Sequence, residues 1–185
     1  LTKYTFGNQT DILINKFGKA FLTLFGIGYF RYAPGTAASF ITCLTWYMVG
    51  DFTDFSLHKN KIYISFFLII IVFYSIIMID RIYKKKDSRE IVIDEFIGQS
   101  IPLVAFLYRP ENFIPNCCYK SLIEIPSVLW IVFSFLLFRF FDIIKPYPIN
   151  LIDRKIKNGL GVMLDDILAG IFTTIVMYII YSLWF

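Results

Sequence analysis

Apolar stretches recur along the chain, separated by short polar punctuation. Phe17 to Phe30 is apolar apart from Lys19 and Thr23 and holds three glycines. Tyr32 to Gly50 carries no charge over 19 residues, although Pro34-Gly35 breaks its beginning. Tyr63 to Ile79 is the cleanest run, 17 uncharged residues between Lys59 and Lys61 on one side and Asp80-Arg81 on the other. As a helix it measures about 25 Å, just short of a ~30 Å hydrocarbon core, and its flanks can snorkel to close the gap. Ile125 to Phe138 adds 14 residues and Ile167 to Phe185 another 19. Three runs are long enough to span a bilayer; the others suit a buried or interfacial helix equally well. The runs exceed ~10 residues and lack period-2 alternation, so strands are disfavoured. The pattern predicts an all-α fold, a compact bundle of about six helices in one domain over residues 1–185, several of them membrane-embedded. There is no internal repeat and no linker that divides the chain.

Composition sharpens this. The hydrophobic share is 57%, against ~45–50% in soluble domains, and charged residues are 17%, against ~25%. Disorder, a coiled coil and a disulfide scaffold are excluded. Eighteen basic and 14 acidic residues leave a net charge of +4, too small and scattered to suggest nucleic acid. Cys43, Cys117 and Cys118 form no metal-binding spacing. The chain begins at Leu1 instead of methionine, as a trimmed sequence would. Its first fifteen residues hold no apolar core of signal-peptide kind. Lys84-Lys85-Lys86 after the Tyr63 run points to a cytoplasmic end, with Arg154, Lys155 and Lys157 a second basic group on the same side. Both groups can equally be solvated flank, and both can attract anionic headgroups.

The informative residues are charges that interrupt apolar sequence, because an ionisable group in a membrane helix costs at least ~2.5–3.5 kcal/mol. In Ile91 to Gln99 (IVIDEFIGQ) two adjacent carboxylates lie between apolar triplets. On a helix Asp94 and Glu95 diverge by ~100°, so they flank one cavity without facing one point. A divalent cation would relieve their repulsion; the plain alternative is a helix N-terminus favouring acidic residues. Arg139, Asp142 and Lys145 follow at i, i+3 and i+6, one face of a helix that Pro146 and Pro148 stop. That face suits an anion such as phosphate, or else closes on itself as an ion triad. In Asn158 to Gly170 a Gly-containing loop leads into Asp165-Asp166, an oxygen-rich pair of the kind Mg²⁺ prefers, or an N-cap for the last helix. Together the three groups read as a metal and phosphate site at a membrane surface.

Other phosphate chemistries leave marks that are missing. The single histidine, His58, lies in a polar segment. No cysteine is followed six residues on by arginine, no Asp-x-Asp pair exists, and there is no P-loop. Metal-assisted attack by water survives.

Four blocks in order resemble one family: Ala33-Pro34-Gly35-Thr36; Asp87 followed by Ile91 to Gln99; Phe138 to Ile149 (FRFFDIIKPYPI); and Gly159 to Gly170 (GLGVMLDDILAG). They are similar to phosphatidylglycerophosphatase A over roughly residues 20 to 180. The resemblance implies a Mg²⁺-dependent phosphatase of the bacterial inner membrane that converts phosphatidylglycerophosphate to phosphatidylglycerol. It also implies a helical fold around a central helix. Ala38 and Asn158 stand where the family often has glycine, and both leave the charged residues intact. On this match Asp94, Glu95, Asp165 and Asp166 would supply Mg²⁺ ligands and a carboxylate base. Asp142 would be a further ligand or hold Arg139. Arg139 and Lys145 would grip the phosphomonoester, Thr36 and Ser39 would donate hydrogen bonds to it, and Asp87 and Asp153 are second-tier candidates. The implied enzyme is multi-pass, opens at the cytoplasmic interface and takes the headgroup while the acyl chains stay in lipid.

The rival class is a noncatalytic membrane protein, a small transporter or subunit, using the same charges as ion pairs or an ion path. Its charges would sit at the centres of apolar runs, whereas these lie at the edges. A CDP-alcohol phosphotransferase would show a spaced Asp-Gly and Ala-Arg signature that is absent.

Overall fold

The computed structural model describes residues 3–52, 58–83, 88–107 and 124–184, and every regular element among them is helical. α1 (Lys3–Leu22) leads through a 3-10 turn (Leu24–Tyr29) to α2 (Pro34–Phe52) and α3 (His58–Ile82). Then come α4 (Ile93–Leu107), α5 (Glu124–Ile144), the short α6 (Ile149–Lys155) and α7 (Gly159–Trp184). The all-α expectation holds, with seven α-helices among the described residues where about six were predicted. At seven residues, α6 is too short to leave a periodic signal in the sequence. Lys84 to Asp87, Cys117 and Cys118 lie outside the described residues.

Local chemistry accounts for the boundaries. Pro34 opens α2 at the first helical position, where its missing N–H is no loss. Asn158 starts α7 by accepting the Gly161 N–H on its side-chain oxygen at 3.0 Å, so at this departure from the family pattern the side chain serves as a cap. Asp80, at the end of α3, accepts the Gly159 N–H at 2.8 Å and ties the two helices together at one end. In the 3-10 turn, Leu24, Phe25 and Gly26 all have positive φ, and the turn leaves Phe25 exposed.

α7 is the central helix, with α4 packed closely against it. α4 packs on α2, α3, α5 and α7, while α7 packs on α3, α4, α5 and α6. Two glycines let α4 and α7 approach: a methyl on Gly170 would collide with the Gly98 carbonyl oxygen, and one on Gly98 would lie 2.6 Å from the Asp166 carbonyl oxygen. Pro102 inside α4 has no N–H to bond that Gly98 carbonyl, which leaves it facing Gly170. One core cluster joins Leu22, Ile71, Met78, Ile79, Ile91, Ile93, Ile97 and Met163. A second joins Cys43, Leu103, Trp130 and Met177.

Apolar side chains cover the exterior as well as filling the core. Buried Thr42, Ser75 and Thr173 each bond a carbonyl of their own helix at 2.7–2.8 Å, which satisfies their hydroxyls. Phe66, Phe67, Ile70, Phe73 and Ile77 of α3 point outward, as do Leu129, Phe133 and Leu136 of α5. Such a large apolar exterior marks contact with lipid or protein. Among the described residues, two helices are long and apolar enough to cross a membrane, Lys61–Ile82 and Gly159–Ile180. The sequence pattern pointed to three. The third, α2, is diluted by Gly35, Thr36, Ser39, Thr42 and Thr45. The two spans fit a membrane-associated chain.

Replacing Gly170 with alanine forces α4 and α7 apart. The expected loss is about 1–3 kcal/mol of stability, measured as a lower denaturation midpoint in detergent; an unchanged midpoint would show that the crossing can relax.

Candidate active site

A cavity of about 720 Å³ opens where the first turn of α4, the end of α5, α6 and the second turn of α7 converge. Six carboxylates line it: Asp94, Glu95, Asp142, Asp153, Asp165 and Asp166. Asp165 and Asp166 are buried. They follow the cap by seven and eight residues, so neither is the helix cap that the sequence left open.

Three of the six are paired with two cations. Arg139 Nη1 sits 2.7 Å from Asp142 Oδ2. Lys145 Nζ lies 2.6 Å from Asp165 Oδ2 and 3.1 Å from Asp153 Oδ1. Burial alone would lower the Lys145 pKa, but its bonds to Asp165 and Asp153 outweigh that and hold it well above the ordinary lysine range.

Arg139, Asp142 and Lys145 do not form one helical face. α5 ends at Ile144 and Lys145 turns left-handed, φ 47°, because the following proline disfavours continuing the helix. Arg139 and Asp142 stay paired on α5, while Lys145 swings across to α6 and α7.

Asp94, Glu95 and Asp166 make no ion pair among the described residues. One oxygen from each lies within 4.8 Å of the others. The ~100° divergence of Asp94 and Glu95 along α4 is overcome by side-chain reach. Asp94 Oδ1 turns back to accept the Glu95 N–H at 3.1 Å, and Glu95 extends beside Gly35 at the start of α2. A methyl on Gly35 would collide with Glu95 Oε1 and approach Arg139 Nη1 at 3.3 Å. Burial pushes Asp94 well above the usual carboxylate range, and the adjacent Glu95 charge pushes the same way. Burial also raises Glu95, against the hydrogen bond from Asp94 and the Arg139 charge. Glu95 Oε2 and Asp165 Oδ1 are buried with no hydrogen-bond partner. An all-oxygen donor set with such an orphan atom fits a hard divalent cation such as Mg²⁺.

Other candidates stand around this centre. Ser39 is buried beneath it; its hydroxyl donates to Gly35 O at 3.0 Å and accepts from Arg139 Nη1 at 3.5 Å, so it supports Arg139. Thr36 is half-buried on the same turn of α2 and outside the cavity lining. Gln99, one turn beyond Glu95, is buried and donates to Ser134 Oγ at 3.2 Å. Asp87 lies outside the described residues. Sequence reasoning missed Gly35 as the seat of Glu95, and Asp80 as the tie to α7. It also missed Arg89, and Lys157 as a residue of the cavity. Gly35 lay inside a quoted block, and the charge flanking the Tyr63 run was the signal for Asp80.

The chain matches the family model for Phosphatidylglycerophosphatase A across residues 20–181. A Haemophilus influenzae protein of that name is 43% identical over 94 residues, 51% of this chain and 47% of that protein; the match thus spans about half the length of that relative. An Escherichia coli protein of the same name is 31% identical over 160 residues, 86% of this chain and 81% of its own. A Bacteroides thetaiotaomicron protein provisionally named a phosphatidylinositol-3-phosphatase is 30% identical over 161 residues, 84% of this chain and 87% of its own. No solved structure matches the chain.

Replacing Lys145 with methionine strands Asp165 and Asp153. The expected loss is about 3 kcal/mol of stability, the size of a broken buried pair, read by denaturant unfolding in detergent. Adding Asp165→Asn should recover part of it; no loss in the single variant would mean that the pair is solvent-screened.

Proposed function

Because the chain belongs to the phosphatidylglycerophosphatase A family, we propose that it hydrolyses the terminal phosphate of phosphatidylglycerophosphate, yielding phosphatidylglycerol in phospholipid biosynthesis. The observation that carries this is the convergence of Asp94, Glu95 and Asp166, three carboxylates without a paired cation, at the buried end of a cavity.

Asp94, Glu95 and Asp166 would hold Mg²⁺, with Asp165 beside them. The ion would supply the positive charge that draws phosphoryl oxygens and a water into this acidic site. The chain's own groups do the rest. Lys145 places its ammonium on the cavity wall and offsets negative charge building on the phosphoryl oxygens. Arg139, held by Asp142 and Ser39 outside the cavity lining, favours the ionised form of Glu95 through its charge. A carboxylate of the cluster accepts the proton of the attacking water as its oxygen bonds phosphorus. The bond from phosphorus to the glycerol oxygen breaks, and that oxygen takes up a proton.

Charge supports a location as well. Lys145 and Lys157 line the cavity, and Arg154 and Lys155 lie in the last turn of the adjoining α6. This basic excess supports a cytoplasmic-facing site in a multi-pass inner-membrane protein.

In detergent micelles, Mg²⁺ should support phosphate release from phosphatidylglycerophosphate and EDTA should abolish it. Asp94→Asn and Asp166→Asn should each lower kcat/KM about 100-fold or more, with folding retained. Release that survives EDTA would sink the metal mechanism; no release from folded wild type would restore the noncatalytic reading. A further substitution, Gly35→Ala, should displace Glu95 and reduce kcat more than it raises KM, measured in the same assay.

A further inference from the structure

The cavity holds more positive charge than the buried site uses. Arg139 and Lys145 are committed to carboxylates. Arg139 lies outside the cavity lining, whereas Arg89 and Lys157 line it beside Lys145, are exposed, and have no hydrogen bond or ion pair among the described residues. They approach from different parts of the chain, Arg89 just before α4 and Lys157 in the turn between α6 and α7. The carboxylate trio marks the inner end, so these two cations stand at the mouth. A volume of about 720 Å³ suits a drug-sized ligand and exceeds what one phosphate needs.

Arg89 and Lys157 are exposed whereas the trio is buried or half-buried, so a second negative group on the same ligand would suit the outer cations. We propose that Arg89 and Lys157 bind the internal phosphodiester of a lipid whose terminal phosphomonoester lies at the carboxylate trio, and so select lipids carrying both. This rests on the phosphatase reading above. In such a ligand the two phosphates are joined through one glycerol, a short link that the same cavity can accommodate. The guanidinium and ammonium would make charge-assisted hydrogen bonds to the diester oxygens. Since the diester is unchanged by the reaction, these contacts act on binding more than on turnover.

The test compares wild type with Arg89→Ala/Lys157→Ala, and with Arg154→Ala/Lys155→Ala, which removes the same charge from exposed positions outside the cavity lining. The Arg89/Lys157 variant should raise KM for phosphatidylglycerophosphate about tenfold with kcat nearly unchanged. It should leave phosphatidate, a monoester without the diester, unaffected. Equal losses on both lipids, or an equal loss in the Arg154/Lys155 variant, would overturn the assignment in favour of general charge attraction. A second arm needs no turnover: short-chain phosphatidylglycerol, which keeps only the diester, is titrated calorimetrically in detergent. Its affinity should fall about tenfold in the Arg89/Lys157 variant alone. If wild type hydrolyses nothing yet shows this difference, the site stands and the phosphatase reading falls; equal affinity overturns the site whatever the activity. Inorganic phosphate is the other source of the same chemistry. Loss of phosphate binding with phosphatidylglycerol binding retained would assign the cations to the released product and overturn the proposal.

Discussion

The arrangement depends on the glycine-on-glycine crossing of α4 and α7. Gly98 lies four residues after Asp94, and Gly170 four after Asp166, so the crossing sits one helical turn beneath the two carboxylates. Close backbone approach there brings acidic oxygens together that would otherwise stay apart. Two like charges at this range repel by roughly 3–4 kcal/mol even at an effective dielectric of ~20. Three such pairs approach the whole stability of an ordinary domain, about 5–15 kcal/mol. Helix packing can hold the oxygens in place, but only added positive charge or protonation can remove the repulsion. The raised pKa of Asp94 and the orphan oxygen of Glu95 are two expressions of that imbalance.

The rest of the interior divides into groups that neutralise and groups that position. Lys145 gathers Asp153 and Asp165, and Arg139 gathers Asp142, which leaves one trio and concentrates the deficit at a single point. Gly35 and Ser39, one turn apart on α2, do not touch the cavity; one makes room for Glu95 and the other steadies Arg139. The hydroxyls deeper in the bundle bond within their own helices and spare the apolar core unmatched polar atoms. This division explains why the bundle tolerates so many interior charges while its surface is covered with phenylalanine and isoleucine.

Much of this was legible in the sequence. Uncharged runs foretold α2, α3, α5 and α7, because length and lack of charge are local properties. The acidic pairs stood out because each interrupts apolar sequence. What the sequence hid depends on chain distant in number. That Asp94, Glu95 and Asp166 converge is a consequence of a crossing seventy residues apart in sequence. Periodicity placed Lys145 on a helix with Arg139, whereas Pro146 ended that helix one residue too soon. Asp165 and Asp166 looked like caps because the Gly-rich segment before them reads as loop; Asn158 and Asp80 instead start α7 ahead of it. Ser39 looked like a phosphate donor from its position beside Thr36, and only packing shows its proton engaged by Gly35.

The tie between Asp80 and the Gly159 amide also sets a rule of parity. It joins the end of one candidate span to the beginning of the other, so if both cross a bilayer those two ends share a side and the spans run in opposite directions. In that arrangement the chain between residues 82 and 159 crosses the bilayer an even number of times, zero included. α4 starts beside the cavity and α5 finishes beside it, so these helices count as one outward and return pair: both traverse, or neither does. A topology map of this chain therefore has two permitted solutions for its middle third, and one reporter placed between α4 and α5 is enough to choose between them.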